Sequence, residues 1–215
     1  MKAMIVKLAA LLMVMGLIAT NASAALITFD DLITGETTFG FDGDGDGVDD
    51  VIFSTTDPLG FNTVGPSANM TFIDEPGLEG TSLLQVDLRV DFLVGAIGGL
   101  SFGFALNSVT EDDFASFELY DSSDNLIAST SELGMFTFPD GTNPSSFPEG
   151  EISMLFSGVA AYGLFNFTSD FGRYIIDNLE GTFGSTERPV PEPGTLLLFG
   201  LGLVGMSLFR RKNKA

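Results

Sequence analysis

The 215-residue chain has no cysteine, no histidine and no tryptophan. Without cysteine there is no disulfide framework, no thiolate zinc site and no thiol nucleophile. Without histidine the commonest general base and the commonest transition-metal ligand are both missing, and a Ser-His-Asp arrangement is impossible. Any metal must be a hard cation bound through oxygen. Basic side chains are scarce too: nine Lys and Arg stand against 29 Asp and Glu. Six of the nine lie near the ends (Lys2, Lys7, Arg210, Arg211, Lys212, Lys214), leaving Arg89, Arg173 and Arg188 for residues 25–188, which hold every acid except Glu192. So acidic a surface repels nucleic acid and anionic headgroups and attracts divalent cations; conferring solubility alone is the plainer reading of the same charge.

The two ends read as targeting segments around one domain. Residues 1–24 have the layout of a signal peptide. Lys2 and Lys7 precede an apolar run from Leu8 to Ala19, and Ala22-Ser23-Ala24 fits the small-x-small cleavage rule, with Ala25 as the new N-terminus. The run is short for a membrane anchor. In residues 189–215, Val190-Pro191-Glu192-Pro193-Gly194 is followed by an apolar stretch, Thr195 to Phe209, and then by a basic cluster within 210–214. That stretch predicts a short transmembrane helix of about 22 Å, with its basic end cytoplasmic. The prolines prevent the helix from continuing backward.

Between the ends, residues 25–188 predict an all-β domain. Leu84 to Val94 alternates apolar and polar residues, so Leu84, Val86, Leu88, Val90, Phe92 and Val94 share one face. Shorter apolar runs follow at 100–106, 115–120, 125–130, 152–156, 162–167 and 173–183, punctuated by Gly, Asp, Asn, Ser and Pro. Many short strands and 21 Phe predict a two-sheet sandwich, of jelly-roll type by preference.

Asp42-Gly43-Asp44-Gly45-Asp46-Gly47-Val48-Asp49-Asp50 places acids at alternate positions with glycines between them, which wraps oxygens around one point. The expected Ca²⁺ ligands are Asp42, Asp44, Asp46, the carbonyl of Val48, and Asp50. The loop resembles the EF-hand-like loops of dockerins and thrombospondin type 3 repeats, with Gly47 at the tight turn. It departs from them at the last position, where Phe53 stands in place of a bidentate acid. The missing ligand must come from Asp49, a distant acid or water, and affinity falls in the weak extracellular range of roughly 10⁻⁴–10⁻³ M. A solvated acidic turn is the alternative.

Pro191-Glu192-Pro193, the Gly-rich apolar stretch and the terminal Arg-Arg-Lys cluster, in that order, resemble the PEP-CTERM sorting signal. The resemblance implies an exosortase-type membrane protease as partner, cleavage near the motif, and delivery to the cell surface or extracellular polysaccharide of a Gram-negative bacterium. A permanent C-terminal anchor is the other reading. Within the domain, Phe117 to Ala128, Ile27 to Asp31 and Ile175 to Leu179 resemble a hairpin, the opening strand and the closing strand of jelly rolls of the carbohydrate-binding-module and discoidin type. That resemblance implies a second calcium shared by Asp30, Asp31, Asp177 and Asn178.

Adjacent acids (Glu111-Asp112-Asp113, Asp74-Glu75) read as solvated loops rather than a paired-carboxylate active site, and Gly95–Gly99 is not followed by the Lys-Ser/Thr of a phosphate loop. The expectation is a non-catalytic, calcium-stabilised surface or matrix protein associated with exopolysaccharide. The alternative is a carbohydrate-binding module, which predicts an exposed row of aromatics; Tyr120, Tyr162 and Tyr174 are the tyrosines available to it.

Overall fold

In the computed structural model, residues 22–63, 65, 69–74, 76–83 and 87–184 are described. The bulk of the signal segment, the strand start Leu84–Val86 and the whole sorting tail, Val190 to Gly194 included, lie outside them. The described residues form ten strands: β1 Ala22–Ile27, β2 Thr38–Phe41, β3 Val51–Thr55, β4 Phe61–Asn62, β5 Leu78–Gly80, β6 Leu88–Leu106, β7 Phe114–Tyr120, β8 Leu126–Leu133, β9 Glu149–Phe167 and β10 Tyr174–Gly184. No helix among them is long and apolar enough to cross a membrane.

The expected alternation holds where it can be read: Leu88, Val90 and Phe92 are buried, while Arg89 and Asp91 are half-buried on the other face. It breaks after Leu93, where Val94 is only half-buried and the buried Gly95 follows it. The run 88–94 and the run 100–106 are not separate strands but one, and so are 152–156 and 162–167. Both long strands fold over. Residues 92–95 of β6 oppose only residue 161 of β9, and residues 156–158 of β9 oppose only Gly98. Such bulges bend and twist a strand. Gly95, Gly98 and Gly158 take φ of 82°, 80° and 96° at the bends, values that a side chain with a Cβ disfavours.

The fold-over turns one hydrogen-bonded network into two layers. In the first, β2, β3, the start of β6, the end of β9, β7 and β8 lie side by side. In the second, β10 lies between the rest of β6 on one side and β1 and β5 on the other, with β4 beyond β5 and the first half of β9 beyond β6. Phenylalanines fill the space between the layers. Phe102 of the second layer meets Phe117 and Phe165 of the first edge-on, at ring distances of 5.2 and 5.0 Å. Phe167 stacks on Tyr174 at 4.3 Å, and Phe92 on Phe183 at 5.6 Å. This is a β-sandwich-like fold with one aromatic-rich core.

β1 pairs antiparallel with the end of β10, from Ala22 opposite Gly184 to Ile27 opposite Leu179. The opening strand therefore lies earlier than Ile27–Asp31, which the jelly-roll resemblance suggested. Ala22, Ala24 and Ala25, the residues of the expected cleavage site, are on that strand, and Asp30 and Asp31 sit in the turn after it.

Among the described residues five carboxylates go inward, Asp50 in the 42–50 loop and four others. Asp57 is fully buried and accepts the N–H groups of Leu59 and Ser82 at 2.9 and 2.6 Å. Glu149, also buried, accepts those of Thr71 and Phe72 at 2.9 Å and the Thr137 hydroxyl. Glu79 pairs with Arg173 and accepts from Asn62 at 2.5 Å; burial pushes its carboxyl up against the pull of the guanidinium. Asp177 is treated below. Each burial is tolerable because donors replace the lost water.

Candidate metal centre

β2 and β3 form a hairpin in which Phe41 pairs with Val51, so residues 42–50 are its connecting loop. The loop folds on its own carboxylates. Asp42 accepts the N–H groups of Gly45 (2.7 Å), Asp46 (3.2 Å) and Gly47 (2.7 Å). Asp44 Oδ1 accepts that of Asp46 and Asp46 Oδ1 that of Val48. Gly45 and Gly47 are left-handed, with φ of 73° and 87°, which lets the chain turn twice within so few residues. Asp50 closes the loop: its side chain accepts the N–H of Gly43 at 2.9 Å, and its backbone bonds to Phe41 and Leu93.

The result brings one carboxylate oxygen each from Asp42, Asp44 and Asp50 within 4.8 Å of one another. Asp46 is outside this group and exposed, and the Val48 side chain points to solvent. The Asp49 side chain lies against Gly40, where an added Cβ would collide with it. The electrostatics differ between the three carboxylates. The Gly47 N–H, helped by those of Gly45 and Asp46, holds Asp42 below the usual carboxylate range. Burial pushes Asp50 up, and the charges of Asp44, Asp42 and Asp46 add to the push against the Gly43 N–H. Asp44 Oδ2 is buried without a hydrogen-bond donor among the described residues. Three converging carboxylates with one such oxygen fit a hard divalent cation.

The residues proposed for a second calcium are arranged differently. Asp177 is buried on β10. It accepts the N–H groups of Asp74 (2.8 Å) and Asn178 (2.7 Å) and the Asn178 side-chain amide (3.3 Å). Asn178 is left-handed (φ 55°) where the β10–β6 register shifts. Burial pushes the Asp177 carboxyl up to about 6, with the charges of Asp74 and Asp30 acting the same way. Asp30 accepts the Thr28 hydroxyl at 2.9 Å, and Asp31 is exposed. These side chains do not form a group of three within ligand distance among the described residues. Asp74 is the participant the sequence hid: an acid far from Asp177 in the chain gives no local signal of its contact.

On the outer face of the first layer, Tyr120 and Tyr162 stand opposite each other and stack at 5.0 Å, 9° from parallel. The Arg89 guanidinium lies 3.8 Å over the Tyr162 ring and is held by both oxygens of Asp91. β9 runs between β6 and β7, so Tyr162 is covered on both faces. Tyr174 is buried in the core. The exposed row of tyrosine faces expected of a sugar platform is not formed by these three.

An acidic, all-β, sandwich-like domain with a carboxylate-rich hairpin loop is thus the class that the described residues define. The PEP-CTERM protein-sorting motif matches residues 189–212, a motif that indicates an exported protein, processed by an exosortase and anchored transiently at the membrane. No curated protein matches the sequence. Among solved structures, the chain is similar to the K2 cleaved adhesin domain of Lys-gingipain, with 15% identity over 75% of this chain and 99% of that one (TM-score 0.40). The K3 adhesin domain of Lys-gingipain from Porphyromonas gingivalis W83 gives 15% identity over 74% and 97% (TM-score 0.40). The mannan-recognising carbohydrate-binding module TmCBM27 gives 12% identity over 76% and 100% (TM-score 0.41).

Proposed function

We propose that the chain is a non-catalytic module of the cell surface or extracellular matrix, associated with exopolysaccharide and stabilised by Ca²⁺ in the 42–50 loop. The observation that carries the reading is the sorting motif at residues 189–212 on the same chain as a strongly acidic sandwich. A polymer of acidic sugars and an acidic protein attract each other only through a bridging cation, and the loop supplies a place for one. Asp42, Asp44 and Asp50 are the side chains that would hold it. Asp46 needs a shift of the loop to join them.

The remaining carboxylates serve other ends. Glu149 and Asp57 are consumed by backbone N–H groups, Glu79 by Arg173, Glu111 by the N–H of Phe136, and Asp113 by Ser108.

The test is co-expression with and without an exosortase, followed by fractionation. The expected result is a full-length, membrane-associated chain without the protease and a shortened product in the surface and matrix fraction with it. A full-length chain recovered from the cytosol in both cases overturns the reading. A glycan array on the processed product decides the recognition alternative: calcium-dependent retention by acidic polysaccharides in general supports the matrix module, and calcium-independent binding to one sugar class supports a dedicated carbohydrate-binding module.

A further inference from the structure

The end of the sandwich where β6 and β9 fold over differs in chemistry from the rest of the domain. Residues 92–100 and 152–161 contain no charged side chain, in a domain that is otherwise acid-rich. Four large apolar side chains stand in water there: Leu155 is 89% exposed, Val159 57%, Leu93 55% and Ile97 37%. Ile97, Leu155 and Val159 are neighbours rather than scattered residues. Ile97 is the cross-strand partner of Val159. An added Cβ at Gly95 would strike Val159, and one at Gly99 would meet Leu155 at 2.9 Å, so both side chains rest on a glycine floor supplied by β6. A contiguous exposed apolar surface on an acidic exported domain calls for an occupant.

The chain's connectivity says which. Thr182 pairs with both Ala24 and Ile97, and Ala22 lies opposite Gly184, so the strands that lead to both terminal segments end beside this surface. Only residues 185–194 separate Gly184 from the apolar run that begins at Thr195. Ten residues span at most about 35 Å when fully extended, so while that run is embedded in lipid this end of the sandwich is held close to the bilayer. The leader's apolar run, Leu8 to Ala19, joins the same end through β1. The acids nearby lie to one side, in the 42–50 loop, where the Leu93 N–H meets the Asp50 carbonyl, and in the Asp121–Asn125 turn. On the β1–β10 side the acid is Glu180.

We propose that Ile97, Leu155 and Val159 form a membrane-facing edge that rests in the interfacial region of the lipid bilayer while the C-terminal run is embedded. Exposed apolar side chains gain by entering the headgroup boundary. The acidic 42–50 loop, bonded at Leu93, flanks this edge, and its charge opposes close approach to anionic headgroups. Release of the domain by processing then exposes this edge. The proposal rests on the membrane-embedded tail, and its test reports the two separately.

The absence of cysteine makes single-site labelling clean. Full-length chains carrying Leu155→Cys, Val159→Cys or, at the opposite end of the sandwich, Ser146→Cys are labelled with a polarity-sensitive fluorophore. They are then reconstituted into phosphatidylethanolamine–phosphatidylglycerol vesicles and floated, and circular dichroism checks that each variant is folded. The expected result is a blue-shifted emission and severalfold lower access to a water-soluble quencher at positions 155 and 159, with position 146 fully accessible. A chain that does not float overturns the tail reading and this proposal with it. A chain that floats with all three labels equally accessible overturns this proposal alone. Shielding at 155 and 159 that persists in detergent and grows with protein concentration assigns the edge to a second copy instead and also overturns it.

Discussion

Glu149 Oε2 accepts the backbone N–H of Phe72 at 2.9 Å and, with Oε1, that of Thr71 at the same distance. A carboxylate on β9 thereby pins a loop far from it in the chain, and Asp57 does the same for Ser82. In a protein without disulfides these buried acids act as polar staples.

Replacing Glu149 by Ala removes the acceptor of the Thr71 and Phe72 N–H groups and of the Thr137 hydroxyl. A lost hydrogen bond to a charged group costs about 1.5–3 kcal/mol, and here more than one goes. The expected loss of stability is at least about 3 kcal/mol, measured by urea denaturation. Glu149→Gln, which keeps acceptor geometry but halves the oxygens, should fall between Ala and the native residue.

Gly103 on β6 lies beneath the same loop. A Cβ there would run into the carbonyl of Phe72, and a backbone atom cannot rotate away as the end of a side chain can. Gly103→Ala should therefore cost about 1–3 kcal/mol, although alanine ordinarily stabilises by restricting the unfolded chain. Gly45→Ala is the contrasting case: open space surrounds the position, so only the strain of its positive φ is felt. That strain amounts to about 1–2 kcal/mol.

Calcium should raise the melting temperature of the processed protein, and magnesium should do so less because it demands a tighter octahedral shell. At a free concentration of 100 times Kd the stabilisation is about 2.7 kcal/mol. Asp44→Asn should abolish the calcium-dependent increment while leaving the calcium-free melting temperature equal or higher, since it removes one of the mutually repelling charges. An unchanged increment in Asp44→Asn would show that the ion sits elsewhere.

Asp177 sets a pH dependence of definite sign. Its folded-state carboxyl is raised to about 6 from an ordinary value of 3.8. The folded state thus holds a proton that the unfolded state has released, and between these two pH values stability falls as pH rises. In chelator, the melting temperature should be higher near pH 5 than at pH 7. Asp50, also raised, contributes with the same sign. Asp177→Asn should flatten the slope, which distinguishes its share from the general relief of acidic self-repulsion.

Much of this molecule can be read from local pattern. The alternation at Leu88–Phe92 and the turn chemistry of residues 42–50 appear in the structure as a strand and a hairpin loop with left-handed Gly45 and Gly47. What local pattern could not supply was continuity through the bends. Gly95, Gly98 and Gly158 look like strand terminators, yet their positive φ lets β6 and β9 fold over without ending. Nor does an inward acid announce itself: Asp57, Glu149 and Asp177 look like any surface carboxylate until the N–H groups they serve arrive from elsewhere in the chain. Asp50 differs from Asp49 only in which side of β3 its neighbour Val51 must face.

The pairing of β10 between β1 and β6 has a mechanical meaning. Tension on the tail enters at Gly184 and runs along β10, whose hydrogen bonds to Ala22–Ile27 and to Ala96–Leu106 lie across that direction. They are loaded together, in shear, rather than unzipped one after another. If the chain were trimmed at Ala25, the rungs from Ala22, Ser23 and Ala24 would be lost on one flank, and a protein still tethered by its tail should yield first at Thr182–Gly184 and hold from Gly181 inward.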